Sequence, residues 1–110
     1  MALYDTIIKG GTVIEGTGLP RFNGDIGIRD GHIAKIGKID PKDGVEVLDA
    51  DGLIVAPGFV DLHTHYDAQI HWDPYCTISG WHGVTSVAIG NCGFGFAPAK
   101  KEMRERLMLM

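Results

Sequence analysis

The stretch Ala56-Pro57-Gly58-Phe59-Val60-Asp61-Leu62-His63-Thr64-His65 is where the chain changes its grammar. Phe59 to His63 reads as a strand, and alternate side chains of a strand share a face. Phe59, Asp61, His63 and His65 therefore point one way, and Val60, Leu62 and Thr64 the other. Two imidazoles at positions i and i+2 can grip one divalent cation from the same side. Asp61, one step deeper, is placed to orient such a ligand through its second ring nitrogen or through a water.

Downstream, the pattern alternates strand and helix. A polar and aromatic loop from Thr64 to Pro74 is followed by a short helix or turn over Thr77–His82, which Gly83 ends. Val84–Ile89 is a second strand. Its Ser86, Ala88, Gly90 and Cys92 share one small face, and Thr85, Val87 and Ile89 share a β-branched one. The small face leaves room in the centre of a barrel and delivers Cys92 to its mouth, where a thiolate suits zinc. A helix is expected from about Ala99, with Pro98 near its first position. That helix is not closed by a Gly or a polar cap, and Leu107, Met108 and Met110 should expose apolar surface. A (β/α)8 barrel needs about 250 residues, so residues 56–110 are expected to be its first two β/α units, with the rest lying beyond.

Upstream, residues 1–55 read as β structure. Apolar, β-branched runs at Tyr4–Ile8, Thr12–Ile14, Asp25–Arg29, His32–Ile36, Val45–Leu48 and Leu53–Val55 are punctuated by Gly10-Gly11, Gly16-Thr17-Gly18, Asp30-Gly31, Pro41 to Gly44 and Asp51-Gly52. Asp30-Gly31 supplies the two positive-φ positions of a type I′ hairpin turn that pairs Ile28 with Ile33. Short strands with regular turns indicate a small sandwich or open barrel. The fold class is thus mixed β and α/β: part of a β-sandwich lobe, then the start of a barrel, incomplete in this chain.

Composition narrows the function. The formal charge of −4 over 110 residues excludes a strongly basic nucleic-acid module. No apolar run reaches the ~18 residues of a membrane span, and Met1–Gly10 lacks the pattern of a secretory signal. Two cysteines suit a cytoplasmic, thiol-bearing protein better than a disulfide scaffold. Several residues have plain structural readings. Cys76 is expected as a packed thiol, His82 at a helix C-terminus, His32 at the surface and Lys100–Arg106 as a solvated helix face. Tyr66 and His71, in the loop over the mouth, are candidates for substrate contact, as is Trp72.

The stretch from Ala56 to His65 resembles the first-strand signature of the amidohydrolase superfamily. Tyr66-Asp67-Ala68-Gln69, His71-Trp72-Asp73-Pro74, Trp81-His82-Gly83-Val84-Thr85 and Gly90-Asn91-Cys92-Gly93 resemble more narrowly the N-acyl-D-amino-acid deacylases. The resemblance implies that His63, His65 and Cys92 are metal ligands, for one or two divalent ions such as zinc. It implies hydrolysis of a small-molecule N-acyl-D-amino acid to a carboxylate and a D-amino acid. The remaining histidines and the general-base aspartate would come from later strands. A cyclic-amide hydrolase of the hydantoinase type shares the His-x-His but bridges its metals with a carbamylated lysine, and Cys92 argues for the deacylase. A third reading is a scaffold relative without catalysis, which the intact histidines and cysteine oppose. The 110-residue piece alone is expected to be inactive and to leave strand edges unpaired. An oligomer is compatible with the sequence.

Overall fold

The computed structural model describes residues 2–93, 95, 98–107 and 109. It divides into two compact units, Met1–Pro57 and Gly58–Met110.

The first unit is one mixed sheet built around β1 (Tyr4–Val13). β2 (Phe22–Arg29) lies antiparallel along one edge of it and carries β3 (His32–Gly37) on its far side. Along the other edge, β4 (Gly44–Asp49) pairs parallel with the first half of β1, and the short β5 (Ile54–Val55) with its end. The hairpin forms as its dipeptide dictates: Asp30 and Gly31 have φ of 51° and 73°, and Ile28 faces Ile33. Ala34 is then the extra residue of a bulge, because Gly27 already faces Lys35.

Gly10-Gly11, expected as a turn, instead lies inside β1. The register passes from Ile8 opposite Ile26 to Gly11 opposite Gly24, which is one residue too many on β1. Glycine accepts the positive φ of such a bulge, 75° at Gly10. The bulge turns the Gly10 N–H and the Lys9 ammonium onto the buried carboxylate of Asp25, at 2.9 and 2.7 Å. The Ile39 N–H donates to the same carboxylate at 2.8 Å. Three segments far apart in sequence, at Lys9-Gly10, Asp25 and Ile39, are thereby tied beside a core of Ile7, Val13, Ile26, Ile39 and Ala50.

The second unit pairs β6 (Phe59–Asp61) parallel with β7 (Val84–Val87). Between them run α1 (Tyr66–Gln69) and α2 (Thr77–Trp81), so this is a strand–helix–strand crossover. Both strands stop two residues before the expected ends at 63 and 89. The last backbone bond between them runs from the Ala88 N–H to the Asp61 carbonyl, and beyond it side chains take over. Thr64 Oγ1 donates to the Ala88 carbonyl at 2.6 Å, and Asn91 Nδ2 donates to the Leu62 carbonyl. The loop from Thr64 to Pro74 is likewise not all loop, since α1 occupies its first turn.

The closing helix also departs from expectation. Pro98 does not open it: Lys100 is extended, a 3-10 turn covers Lys101–Met103, and α3 spans only Arg104–Leu107. No side chain caps this start, and Glu102 is the one acidic group in the first turn. Lys100–Arg106 is exposed as expected, whereas Leu107 is half-buried. Met108 and Met110 lie outside the described residues.

Candidate metal centre

His63 and His65 follow β6 directly, and Cys92 lies five residues beyond β7. Parallel pairing places the two strand ends side by side, and the hydrogen bonds from Thr64 and Asn91 hold the loops that follow against each other. Asn91 and Thr64 escaped the reading of the sequence. Asparagine inside Gly-Asn-Cys-Gly was the available signal, because its amide can both donate to and accept from a neighbouring loop.

The outcome is a cluster. One ligand atom from each of His63, His65 and Cys92 lies within 4.8 Å of the others. Nε2 of His65 stands 3.3 Å from Sγ of Cys92. The imidazoles of His63 and His65 stack on one side of the chain, with centroids 5.9 Å apart and planes 22° from parallel. The i, i+2 alternation thus persists past the end of the strand. Both histidines are exposed and Cys92 is half-buried.

The cluster fits a metal by its donor set and spacing. Two imidazole nitrogens and one thiolate match tetrahedral zinc chemistry. Bonds of about 2.0–2.1 Å to nitrogen and 2.3 Å to sulfur, at the tetrahedral angle, set a nitrogen–sulfur separation of roughly 3.6 Å. The 3.3 Å between His65 and Cys92 is close to that value.

Asp61 sits below the cluster, but its hold is on the main chain. Its Oδ1 accepts the His63 N–H at 3.0 Å, and its carbonyl accepts the Ala88 N–H at 2.8 Å. Both contacts are to backbone groups, one of them the N–H by which His63 leaves the strand. The Tyr66 hydroxyl shares a 2.6 Å hydrogen bond with Ser79, tying α1 to α2. His71 and Trp72 are exposed in the following turn. Asp73 caps the start of α2, accepting both the N–H and the hydroxyl of Thr77, at 2.9 and 2.6 Å. Those two bonds, the hydroxyl's first, hold its carboxyl below the usual range. The other sequence candidates lie away from chemistry. His32 is exposed on its hairpin, with Nδ1 2.8 Å from the Asp30 carbonyl. His82 ends α2 through its backbone N–H, and Cys76 is a half-buried free thiol.

The chain is similar to several known proteins. The family model described as "Amidohydrolase family" matches residues 46–106. An N-acyl-D-glutamate deacylase of Alcaligenes xylosoxydans xylosoxydans is 46% identical over 95 residues, which are 86% of this chain and 20% of that protein. An N-acyl-D-aspartate deacylase of the same organism is 42% identical over 100 residues, or 91% of this chain and 20% of that protein. The crystal structure of N-acyl-D-glutamate deacylase from Bordetella bronchiseptica, complexed with zinc and a phosphonate mimic of the tetrahedral intermediate, superposes with a TM-score of 0.79. It shares 45% identity over 87% of this chain and 20% of that one. The chain therefore spans about one fifth of the length of these relatives.

Proposed function

The chain belongs to the amidohydrolase family, and from that premise we propose that the protein carrying it is a metal-dependent hydrolase of N-acyl-D-amino acids, releasing a carboxylate and a D-amino acid. The observation that carries the proposal is the convergence of His63, His65 and Cys92 within 4.8 Å at the ends of two parallel strands. Similarity to deacylases of N-acyl-D-glutamate and N-acyl-D-aspartate supports the substrate class.

In this reading His63, His65 and Cys92 hold zinc as one or two ions, with further ligands and the general base supplied outside this chain. Zinc, when bound, supplies Lewis acidity that polarises the scissile carbonyl and makes water acidic near neutral pH. This chain's residues present the ligands. Asp61 pins the His63 backbone, Asn91 and Thr64 lock the two loops together, and Tyr66 and His71 flank the entrance, where they contact substrate. Residues 1–55 form the lobe, and residues 56–110 the first two units of a (β/α)8 barrel. The crossover between β6 and β7 supports that arrangement. The substrate is a small molecule, and the cytoplasm is the proposed location. Among the described residues no helix is long and apolar enough to cross a membrane.

The test is turnover of N-acetyl-D-glutamate, N-acetyl-D-aspartate and their L enantiomers by the full-length protein, before and after chelation and zinc restoration. Chelator-sensitive turnover of the D forms, restored by zinc, is expected. Opening of hydantoin or dihydropyrimidine rings without any acyl-D-amino-acid turnover overturns the proposal in favour of a cyclic-amide hydrolase.

A further inference from the structure

Asp67 is the described residue whose chemistry no other contact explains. Its Oδ2 is buried and has no hydrogen-bond partner among the described residues. A buried carboxylate oxygen left without a hydrogen bond keeps the full cost of losing water, so its place calls for a partner. The surroundings name one. Gly93 has φ of 98° and no side chain, and the hollow beside it is shared by Asp67 and His65. A Cβ built on Gly93 would lie 3.2 Å from Oδ2 of Asp67, and 3.6 and 3.7 Å from Cγ and Nδ1 of His65. Meanwhile Nε2 of His65 is committed to the opposite side, 3.3 Å from Cys92. The ring nitrogen left over is Nδ1, and the hollow that adjoins it holds the unpartnered carboxylate.

We propose that Asp67 is the positioning residue of His65: its carboxylate accepts the Nδ1–H across the hollow beside Gly93, through a small turn of the side chain or one bridging water. That fixes the tautomer in which Nε2 carries no proton and faces Cys92. The role matches a general need, because an imidazole that binds metal through one nitrogen donates its other N–H to an acceptor that orients the ring. Asp61 is engaged elsewhere, with its Oδ1 accepting the His63 N–H. Asp67 is not itself a ligand: the cluster within 4.8 Å comprises His63, His65 and Cys92. Gly93 suits the same geometry, because a side chain there would press on the Asp67 carboxylate and fill the space beside the ring.

This inference rests on the metal reading of the cluster. The experiment is a chelator-competition titration of zinc affinity in the full-length protein, with folding checked by circular dichroism. Asp67→Leu, which keeps the bulk and removes the acceptor, should weaken zinc binding about 10–100-fold. Asp67→Asn keeps an acceptor oxygen and should recover most of that loss. Should the leucine variant fail to fold, Asp67→Ala takes its place beside the asparagine variant. Affinity at the wild-type level without an acceptor, or an asparagine variant as weak as the leucine one, overturns the role. His65→Ala and Cys92→Ala run in parallel. Loss of zinc in those two with none at Asp67 removes only this inference, while wild-type affinity in them removes the metal reading itself.

Discussion

Nε2 of His65 and Sγ of Cys92 stand 3.3 Å apart although 27 positions separate them in the chain. Their meeting is produced by two short parallel strands that end level with one another and by two loop-to-loop hydrogen bonds. A cysteine sulfur and an imidazole nitrogen at that separation have close to the spacing that one tetrahedral zinc would set.

Replacing Cys92 by alanine should therefore remove metal and activity together. Zinc content of the purified full-length protein should fall, and turnover of N-acyl-D-amino acids should drop by more than about 100-fold. His32→Ala on the exposed hairpin should leave both unchanged. Elemental analysis and turnover on the same preparations check the pair, and a Cys92→Ala protein with full zinc and full rate would remove the ligand assignment.

The β-bulge makes Asp25 a structural keystone of the lobe. Asp25→Ala strands the N–H groups of Gly10 and Ile39 and leaves the Lys9 ammonium with the Ile39 carbonyl and no counter-charge, and should destabilise the protein by about 3 kcal/mol. Denaturant unfolding followed in the lobe measures this.

The same carboxylate predicts a pH dependence. Burial pushes the Asp25 carboxyl up, but the hydrogen bond from Lys9, then those from Ile39 and Gly10, and the Lys9 charge together bring it below its ordinary value of 3.8. A carboxyl depressed in the folded state contributes stability that is complete above its unfolded pKa and fades as pH falls through the lower folded one. The stability gap between wild type and Asp25→Asn should thus be widest near neutral pH and should narrow only below about pH 4. A gap that instead grew in acid would reverse the assigned sign.

Gly31 should resist substitution although a side chain there would meet nothing. With φ of 73° and open space around it, it is held by backbone conformation alone. Gly31→Ala should cost about 1 kcal/mol through left-handed strain, read as a lower denaturant midpoint. An unchanged midpoint would mean that the turn adapts.

At α2, Asp73→Ala should speed hydrogen exchange over Thr77–Trp81 while leaving zinc content unaltered, because Asp73 caps this helix and is absent from the cluster. Its lowered carboxyl makes the protection acid-sensitive in the same sense as for Asp25: complete above the ordinary carboxylate range and lost as pH falls through the lowered value. Exchange rates that did not respond to the substitution would show that packing, not the cap, holds the helix.

Residues whose structure is decided within a few positions were legible from the sequence alone. Asp30-Gly31 dictated its hairpin and the Ile28–Ile33 pairing, since two positive-φ residues leave the backbone one tight way to reverse. His63 and His65 were placed on one side by the two-residue period of an extended chain, and that placement outlasted the strand itself. The change of grammar at Ala56-Pro57-Gly58 falls next to the boundary between the two compact units at Pro57. Only the tertiary structure decided the rest. Gly10-Gly11 looks like a turn until Asp25 lies opposite to receive its N–H, because a bulge is defined by its partner strand. Asp61 and Asp67 cannot be told apart by local pattern, since both are carboxylates near the histidines. Their tasks separate only when the fold spends one on a backbone N–H and buries the other beside His65 at a glycine hollow. Local conformation is written in neighbouring residues, whereas the partner of a buried polar group is set by which distant segments the fold brings within hydrogen-bonding reach.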